Sequence, residues 1–270
     1  MLWRLHTAIV KEMERDIVAL LESEGDVVQV ITGGPFTLPP LPQTAAEQPC
    51  IALTTLQDAR FKLKRSPAVP LSYYQEGRYD VSFWLPHAVR HNLPVYNSTD
   101  CFWMPFGLLQ TIPHKFPLFI KSDAGHKSIV GQVFNSVDDL KHYDDISPHQ
   151  LMFCAPPKLP HVREYRFWIV EKEIAGFSAY GWNQEENERN SEEIEKAKRI
   201  VDLVTSCAWT PDVAYVVDIG QSPSGQFEIL EYNCMTTSGL YAGVDIKTLF
   251  HALRNVATKE WNGEITFEEV

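Results

Sequence analysis

Residues 213–233 read VAYVVDIGQSPSGQFEILEYN. Two apolar runs, Val213–Ile219 and Gln226–Asn233, flank the turn-forming GQSPSG, so the segment reads as a β-hairpin. Successive side chains on a strand point to opposite faces, which puts Glu231 and Asn233 on one face. If the turn centres on Pro223–Ser224, Ser222 pairs with Gly225 and Asp218 pairs with Ile229, and Asp218 joins that face. Two carboxylates and one amide oxygen then converge. Mg²⁺ takes oxygen ligands and keeps waters and substrate phosphates in the rest of its shell, so the trio suits a Mg²⁺–nucleotide. Acidic residues at strand ends are ordinarily solvated. Here their neighbours Val216, Val217, Ile219, Ile229 and Leu230 are apolar, and a carboxylate among them is costly unless paired or metal-bound.

Two segments upstream carry matching cations. In FIKSDAGHKSIVGQVF, residues 119–134, the runs Pro117–Lys121 and Val130–Phe134 read as strands around a tip holding Lys121, Lys127, Gly125 and Gly131. Free backbone N–H groups and a lysine point charge can close over phosphates there; a surface hairpin with solvated lysines is the alternative. REYRFWIV, residues 163–170, places Glu164 and Arg166 on one strand face. The guanidinium fork of Arg166 suits an oxyanion, with a cross-strand ion pair as the alternative. Between them Leu151–Ala155 reads as a short apolar strand stopped by Pro156 and Pro157.

The rest of the chain supplies scaffold. Ile9, Met13, Ile17, Leu20 and Leu21 recur at helical spacing and predict one amphipathic helix over 8–21. Helices are also expected over Ser82–Asn92, interrupted at Pro86, after Asn190–Glu193 and over Asp245–Val256. Strands are expected at Asp26–Ile31, Cys50–Thr54, Leu93–Tyr96 and Glu173–Ala179. Residues 33–48, with four prolines and two glycines, form a long loop or Pro-rich crossing. No motif in 1–105 names a chemistry, and Trp84, Phe102 and Trp103 are only candidates to line a cleft. The mixture points to an α+β or α/β fold.

Composition narrows the classes. At 270 residues, 44% hydrophobic and 22% charged, the chain is ordinary globular sequence, able to bury about three-quarters of its unfolded surface. A net charge of −11 argues against direct nucleic-acid binding while allowing a local basic cleft. Five cysteines without a CxxC give neither a disulfide framework nor a zinc site, and fit reduced thiols in the cytoplasm. The N-terminus does not read as a signal peptide, and no apolar run is long enough for a membrane span. No GxxxxGK[ST] occurs, which counts against a P-loop enzyme.

In their order (FIK, GHK, GQVF, the strand near Phe153, EYR, then VVDIG, FEILEYN and SGL) these pieces resemble the ATP-grasp superfamily over roughly residues 115–250. Within it the chain is most similar to the clade named for two arginines and one lysine. The resemblance implies two α+β lobes gripping ATP in residues 106–270, preceded by an N-terminal substrate domain in 1–105. It implies an ATP-dependent carboxylate–amine ligase that forms an acylphosphate and releases ADP. Asp218, Glu231 and Asn233 would bind Mg²⁺. Lys121 and Lys127 would hold ATP phosphates, and Arg166 would stabilise the transferred phosphoryl or the acylphosphate, with Arg166 and Lys121 the catalytic residues. Glu164 would orient a lysine or the nucleotide, and Phe153, Cys154 and Ala155 would form the adenine hinge. Thr236, Thr237, Ser238 and Gly239 would hold the acceptor or acyl intermediate. The partners implied are ATP and small-molecule or peptide carboxylates and amines. Three positions depart from the pattern. Lys121 stands where the clade often has arginine, Ser122 where it has proline, and Val216 where many of the ligases have arginine, so Arg166 would supply that charge. These departures leave open a nucleotide-binding module without catalysis. An ATP-dependent nucleic-acid modifier is the other alternative.

Overall fold

The computed structural model describes residues 1–34, 36–40, 48–62, 77–111, 115–124, 127–180 and 191–265. In chain order its strands are β1 (Leu2–His6), β2 (Val27–Ile31), β3 (Cys50–Leu53), β4 (Phe102–Pro105), β5 (Leu118–Ser122), β6 (Gln132–Phe134), β7 (Leu151–Ala155), β8 (Arg163–Val170), β9 (Glu173–Tyr180), β10 (Ala214–Gln221) and β11 (Phe227–Cys234). They form three sheets: parallel β2-β1-β3, and two antiparallel sheets ordered β11-β10-β8-β9 and β4-β7-β5-β6.

The first sheet corrects the reading of the N-terminus. Its central strand is β1, a segment the periodicity did not mark, because Arg4 interrupts the apolar run. All five residues of β1 are buried. Arg4 is accommodated by donating Nε–H to Gln29 Oε1 at 3.0 Å and Nη2–H to the Pro39 and Pro40 carbonyls, as a buried charge requires. The expected helix over 8–21 is broken. A helical turn at Thr7–Val10 is followed by a 3₁₀ turn at Lys11–Met13 and then the helix Glu14–Ser23. Of the proline-rich loop, Pro35 and residues 41–47 lie outside the described residues; Leu38 is buried against Ile31, Ala52 and Ala59.

The hairpin of β10 and β11 forms, with a different register from the expected one. Ser222 N–H bonds to Gln226 O and Gly225 N–H to Ser222 O, with Gly225 at φ 83°. This is a three-residue turn with glycine in the left-handed region. It shifts the pairing by one residue, to Ile219↔Ile229, and a one-residue slip would turn Asp218 away from Glu231. The irregularity between Asp218 and Ile219 restores the face, so that Asp218 pairs with Glu231 and Val216 with Asn233. The trio therefore shares one face, but through a bulge at Leu230 rather than through an Asp218–Ile229 pair.

Both faces of this sheet are covered. Phe167, Ile169, Tyr215, Val217 and Ile219 pack on Ile194, Ala197, Val201 and Val204 of the helix Ser191–Ser206. On the opposite face Trp168, Val170 and Val216 pack on Trp3 and Leu5 of β1 and on Leu249, Phe250 and Leu253 of the helix Ile246–Trp261. Arg166 and Asp218 lie on this second face, directly across from one another.

The remaining sheet holds the lysine segment. β5 pairs with β6 as expected, although Gly125 and His126 at its tip lie outside the described residues. The helix Val81–Arg90 runs through Pro86 rather than stopping there. Leu93–Tyr96 forms no strand, only an isolated bridge between Val95 and Ile229. Tyr79, Val81, Trp84, Leu85 and Ala88 share a core with β7, β8 and β10, and β4 pairs with β7, so residues 79–105 pack with the later chain. Asn190 and the rest of the acidic segment 183–190 lie outside the described residues.

Candidate active site

Arg166 and Asp218, two of the expected site residues, pair with each other. Arg166 donates Nε–H to Asp218 Oδ1 and Nη2–H to Oδ2, both at 2.8 Å. Asp218 is fully buried and Arg166 nearly so. The register Asp218↔Arg166 makes this a cross-strand pair between neighbouring central strands, and bidentate geometry is what allows such a pair to be buried. Val216, where the ligase pattern often has arginine, pairs with Trp168 in the core, so the guanidinium reaches Asp218 from the next strand.

Asn233 and Glu231 continue the face. Asn233 donates Nδ2–H to Asp218 Oδ2 at 2.9 Å and to Glu231 Oε1 at 3.1 Å. Lys127 Nζ donates to Glu231 Oε1 at 2.5 Å, and Lys121 Nζ lies 3.8 Å from Oε2. Burial works to raise the Glu231 carboxyl, but the charges of Lys127 and Lys121 outweigh it and hold the group well below the usual carboxylate range. Burial lowers the Lys121 ammonium by more than Glu231 raises it. Lys127 has the opposite balance: burial works to lower it, and the nearby Glu231 carboxylate lifts it above the ordinary lysine value.

A cavity of about 360 Å³ opens beside this network. Lys121, Lys127, Glu164, Glu231 and Asn233 line its polar side; Val81, Trp84, Leu85, Phe119, Ile129, Phe153 and Tyr232 line its apolar side. Lys121 and Phe153 are register partners on β5 and β7 and face the cavity together. Of the other expected hinge residues, Cys154 turns into the opposite core with Ile120 and Leu140, and Ala155 is fully buried. Neither lines the cavity, whereas Pro160 and His161 downstream do. Trp84 lines it as well; Phe102 and Trp103 lie in β4 and do not.

Asp123 was not singled out from the sequence. Buried at the end of β5, it accepts hydrogen bonds from Ser82 N–H at 2.7 Å, Ser82 Oγ at 2.6 Å and Trp103 Nε1 at 2.8 Å. It thus ties the lysine turn to the helix Val81–Arg90 and to β4. An aspartate flanked by Ser122 and Ala124 carries no local signal of this, because all its partners are distant in sequence.

Beyond β11, Met235–Thr237 form a 3₁₀ turn. Thr236 and Ser238 are buried, and Ser238 Oγ donates to Cys234 O at 2.7 Å. Thr237 and Gly239 are partly exposed, and Arg166 Nη1–H reaches the Gly239 carbonyl at 3.4 Å. The five cysteines are free. Burial pushes Cys50 up to about 11 and Cys154 and Cys234 up to about 12, which makes these three poor nucleophiles.

Among the described residues no group of three or more His, Cys, Asp or Glu could hold a metal ion. Two carboxylates and an amide nevertheless fit Mg²⁺, which leaves most of its shell to waters and phosphates. The Asn233 Nδ2 donates to one oxygen of each carboxylate, so the three side chains converge.

Residues 80–253 match the family model described as ATP-grasp domain, R-2-K clade family 3, over more than half of the chain. The chain belongs to this ATP-grasp family. No curated protein matches it. Among solved structures, D-alanine–D-alanine ligase from Bacillus anthracis aligns at a TM-score of 0.63 and 11% identity, covering 98% of this chain and 100% of that one. The same ligase complexed with ATP aligns at 0.59 and 12%, again covering 98% and 100%. A RimK domain protein ATP-grasp from Sphaerobacter thermophilus DSM 20745 aligns at 0.55 and 12%, covering 97% and 98%. At these identities the likeness is one of fold, and it makes the three-sheet arrangement an ATP-grasp fold. No helix among the described residues is long and apolar enough to cross a membrane.

Proposed function

We propose that this ATP-grasp chain is an ATP-dependent ligase that joins a carboxylate to an amine through an acylphosphate and releases ADP. One observation carries the reading. Glu231 and Asn233 on one sheet meet Lys121 of another and Lys127 of its turn at one cavity, with the Arg166–Asp218 pair hydrogen-bonded behind them through Asn233. The nucleotide base enters the apolar side, among Trp84, Leu85, Phe119, Phe153 and Tyr232. Lys121 and Lys127 hold the phosphates, and Glu164 orients the nucleotide or a lysine. Asp218, Glu231 and Asn233 are the residues that would hold Mg²⁺, which when bound supplies charge to neutralise phosphate oxygens.

In the chemical step a carboxylate oxygen of the acid substrate attacks the γ-phosphorus. The bond from that phosphorus to the ADP oxygen breaks, giving acylphosphate and ADP. The amine nitrogen then attacks the acyl carbon, phosphate leaves, and the nitrogen gives up a proton. Arg166 and Lys121 stabilise charge on the transferring phosphoryl. Positioning and electrostatics suffice for this class of transfer, so the reading asks for no protein nucleophile. The loop Thr236–Gly239 receives the acyl intermediate or the acceptor. Residues 1–105 form the substrate side and 106–270 the nucleotide side, with the helix Val81–Arg90 and β4 lent to the latter.

The test is thermal unfolding with ATP, ADP and GTP, each with and without Mg²⁺, followed by a screen of acid–amine pairs for ADP release. Ligand at a hundred times its Kd adds about 2.7 kcal/mol. A Mg²⁺-dependent shift with ATP, followed by substrate-dependent ADP release, is expected. A shift without turnover favours the non-catalytic module, and no shift with any nucleotide overturns the reading.

A further inference from the structure

Lys11 sits at the junction between the N-terminal sheet and the loop that follows β11. Its backbone is at φ 49°, ψ −135°, a left-handed conformation that costs a residue with a side chain about 1–3 kcal/mol and tends to persist where function requires it. The side chain extends to Tyr241. Lys11 Nζ lies 3.9 Å from the centroid of the Tyr241 ring, and Arg166 Cζ lies 5.3 Å from the same centroid. The segment is docked there: Leu240 N–H donates to Ile9 O at 2.8 Å, and Thr54 N–H, just past β3, donates to Thr236 O at 2.9 Å. Gly239 makes room, since a Cβ on it would come within 3.3 Å of Lys11 Cε and 3.5 Å of Nζ.

The charges around this point are unequal. Arg166 is matched by Asp218, and Lys121 and Lys127 share Glu231. Lys11 forms no ion pair with any described residue, although the protein carries a net charge of −11. An exposed ammonium with no ion pair among the described residues, beside the proposed phosphoryl-transfer centre, is a binding group for an anion. It stands where the C-terminal ends of β1 and β3 meet the acceptor loop, the end of a parallel sheet at which ligands bind.

We propose that Lys11 is a substrate-binding residue that holds a carboxylate of the acid substrate beside Arg166, so that the acid side of the reaction takes an anionic, polycarboxylate-type molecule. This rests on the ligase reading above. The experiment uses the full chain with saturating Mg²⁺–ATP and measures the further thermal shift from succinate, glutarate or glutamate, with 1,4-diaminobutane as the cationic control. Lys11→Met keeps the stem over Tyr241 and removes the charge, and Lys11→Arg restores it. At least one of the carboxylates is expected to shift the wild type while the diamine does not. Lys11→Met should weaken that carboxylate's apparent affinity about tenfold or more, a loss of about 1.4 kcal/mol of binding, with Mg²⁺–ATP affinity unchanged, and Lys11→Arg should recover most of it. The proposal is overturned by Mg²⁺–ATP binding with no carboxylate shift in the wild type, or by an equal carboxylate shift in Lys11→Met. Loss of Mg²⁺–ATP binding in the wild type would instead sink the ligase reading. Should Lys11→Met fold poorly, Lys11→Gln serves as the charge-removing variant.

Discussion

The two antiparallel sheets treat charge in different ways. In β11-β10-β8-β9 the central strands are eight residues long and both faces are covered, so Arg166 and Asp218 must satisfy each other within the sheet, and they do so by two 2.8 Å hydrogen bonds. In β4-β7-β5-β6 the strands are three to five residues long. Lys121 and Lys127 keep contact with solvent, and their carboxylate, Glu231, belongs to the other sheet. One sheet thus holds a buried bidentate ion pair, and on the other side the lysines form their ion pairs across the cleft. The buried pair contributes more to folding, whereas the cleft-spanning pair is worth less to stability and leaves charge that a ligand can take over.

Breaking the buried pair should have the largest effect. Asp218→Asn leaves the Arg166 guanidinium buried without its counter-charge and should cost about 3–5 kcal/mol of unfolding free energy, read by urea denaturation. Replacing both partners, Asp218→Leu with Arg166→Met, should recover most of that loss, because apolar side chains tolerate the site. A double-mutant cycle showing simple additivity would deny the coupling. Asp218→Asn therefore cannot serve as a clean test of metal binding, and Glu231→Gln is the better variant for that purpose.

Glu231→Gln tests the cleft-spanning pair. It should cost less, about 1–2 kcal/mol, because Lys127 is substantially exposed and its interaction is screened by solvent. Glu231 has its carboxyl depressed in the folded state, so its contribution is fully present above the unfolded value near 4.5 and fades as pH falls through the folded value. The stability gap between wild type and Glu231→Gln should accordingly be flat near neutral pH and close only on strong acidification. A gap that instead widens toward low pH would contradict the pairing.

Lys121→Met should have the smallest effect on folding, of the opposite sign. Burial disfavours the charged ammonium, whose folded-state value is lowered. That penalty is present below the folded value and disappears as pH rises past the unfolded one. The variant should gain a few tenths of a kcal/mol in the absence of nucleotide, while its affinity for Mg²⁺–ATP falls about tenfold. Equal nucleotide affinity in Lys121→Met would remove the lysine from the phosphate site.

Much of the site was legible because strand periodicity is local. Alternation placed Glu231 with Asn233, and Glu164 with Arg166, whatever the rest of the chain did. The pairing that brought Asp218 to Glu231 was not legible, since it depends on the Gly225 turn and the Leu230 bulge acting together. β1 was hidden by Arg4, whose burial depends on Gln29 and on the Pro39 and Pro40 carbonyls, groups brought near only when the sheet forms. Asp123 was hidden for the same reason.

By itself, then, the sequence determined which residues carry the charges, the order in which they occur, and which neighbours on a strand share a face. It also determined the mixed α and β character through its hydrophobic periodicities. Tertiary structure decided the register, the cross-strand pairing of Arg166 with Asp218, the meeting of both lysines with Glu231, the cavity between the sheets and the placing of Lys11 over Tyr241. These are contacts between segments far apart in the chain. Their geometry is fixed by turns, bulges and the packing of two covered faces, and alternation within one strand carries no record of them.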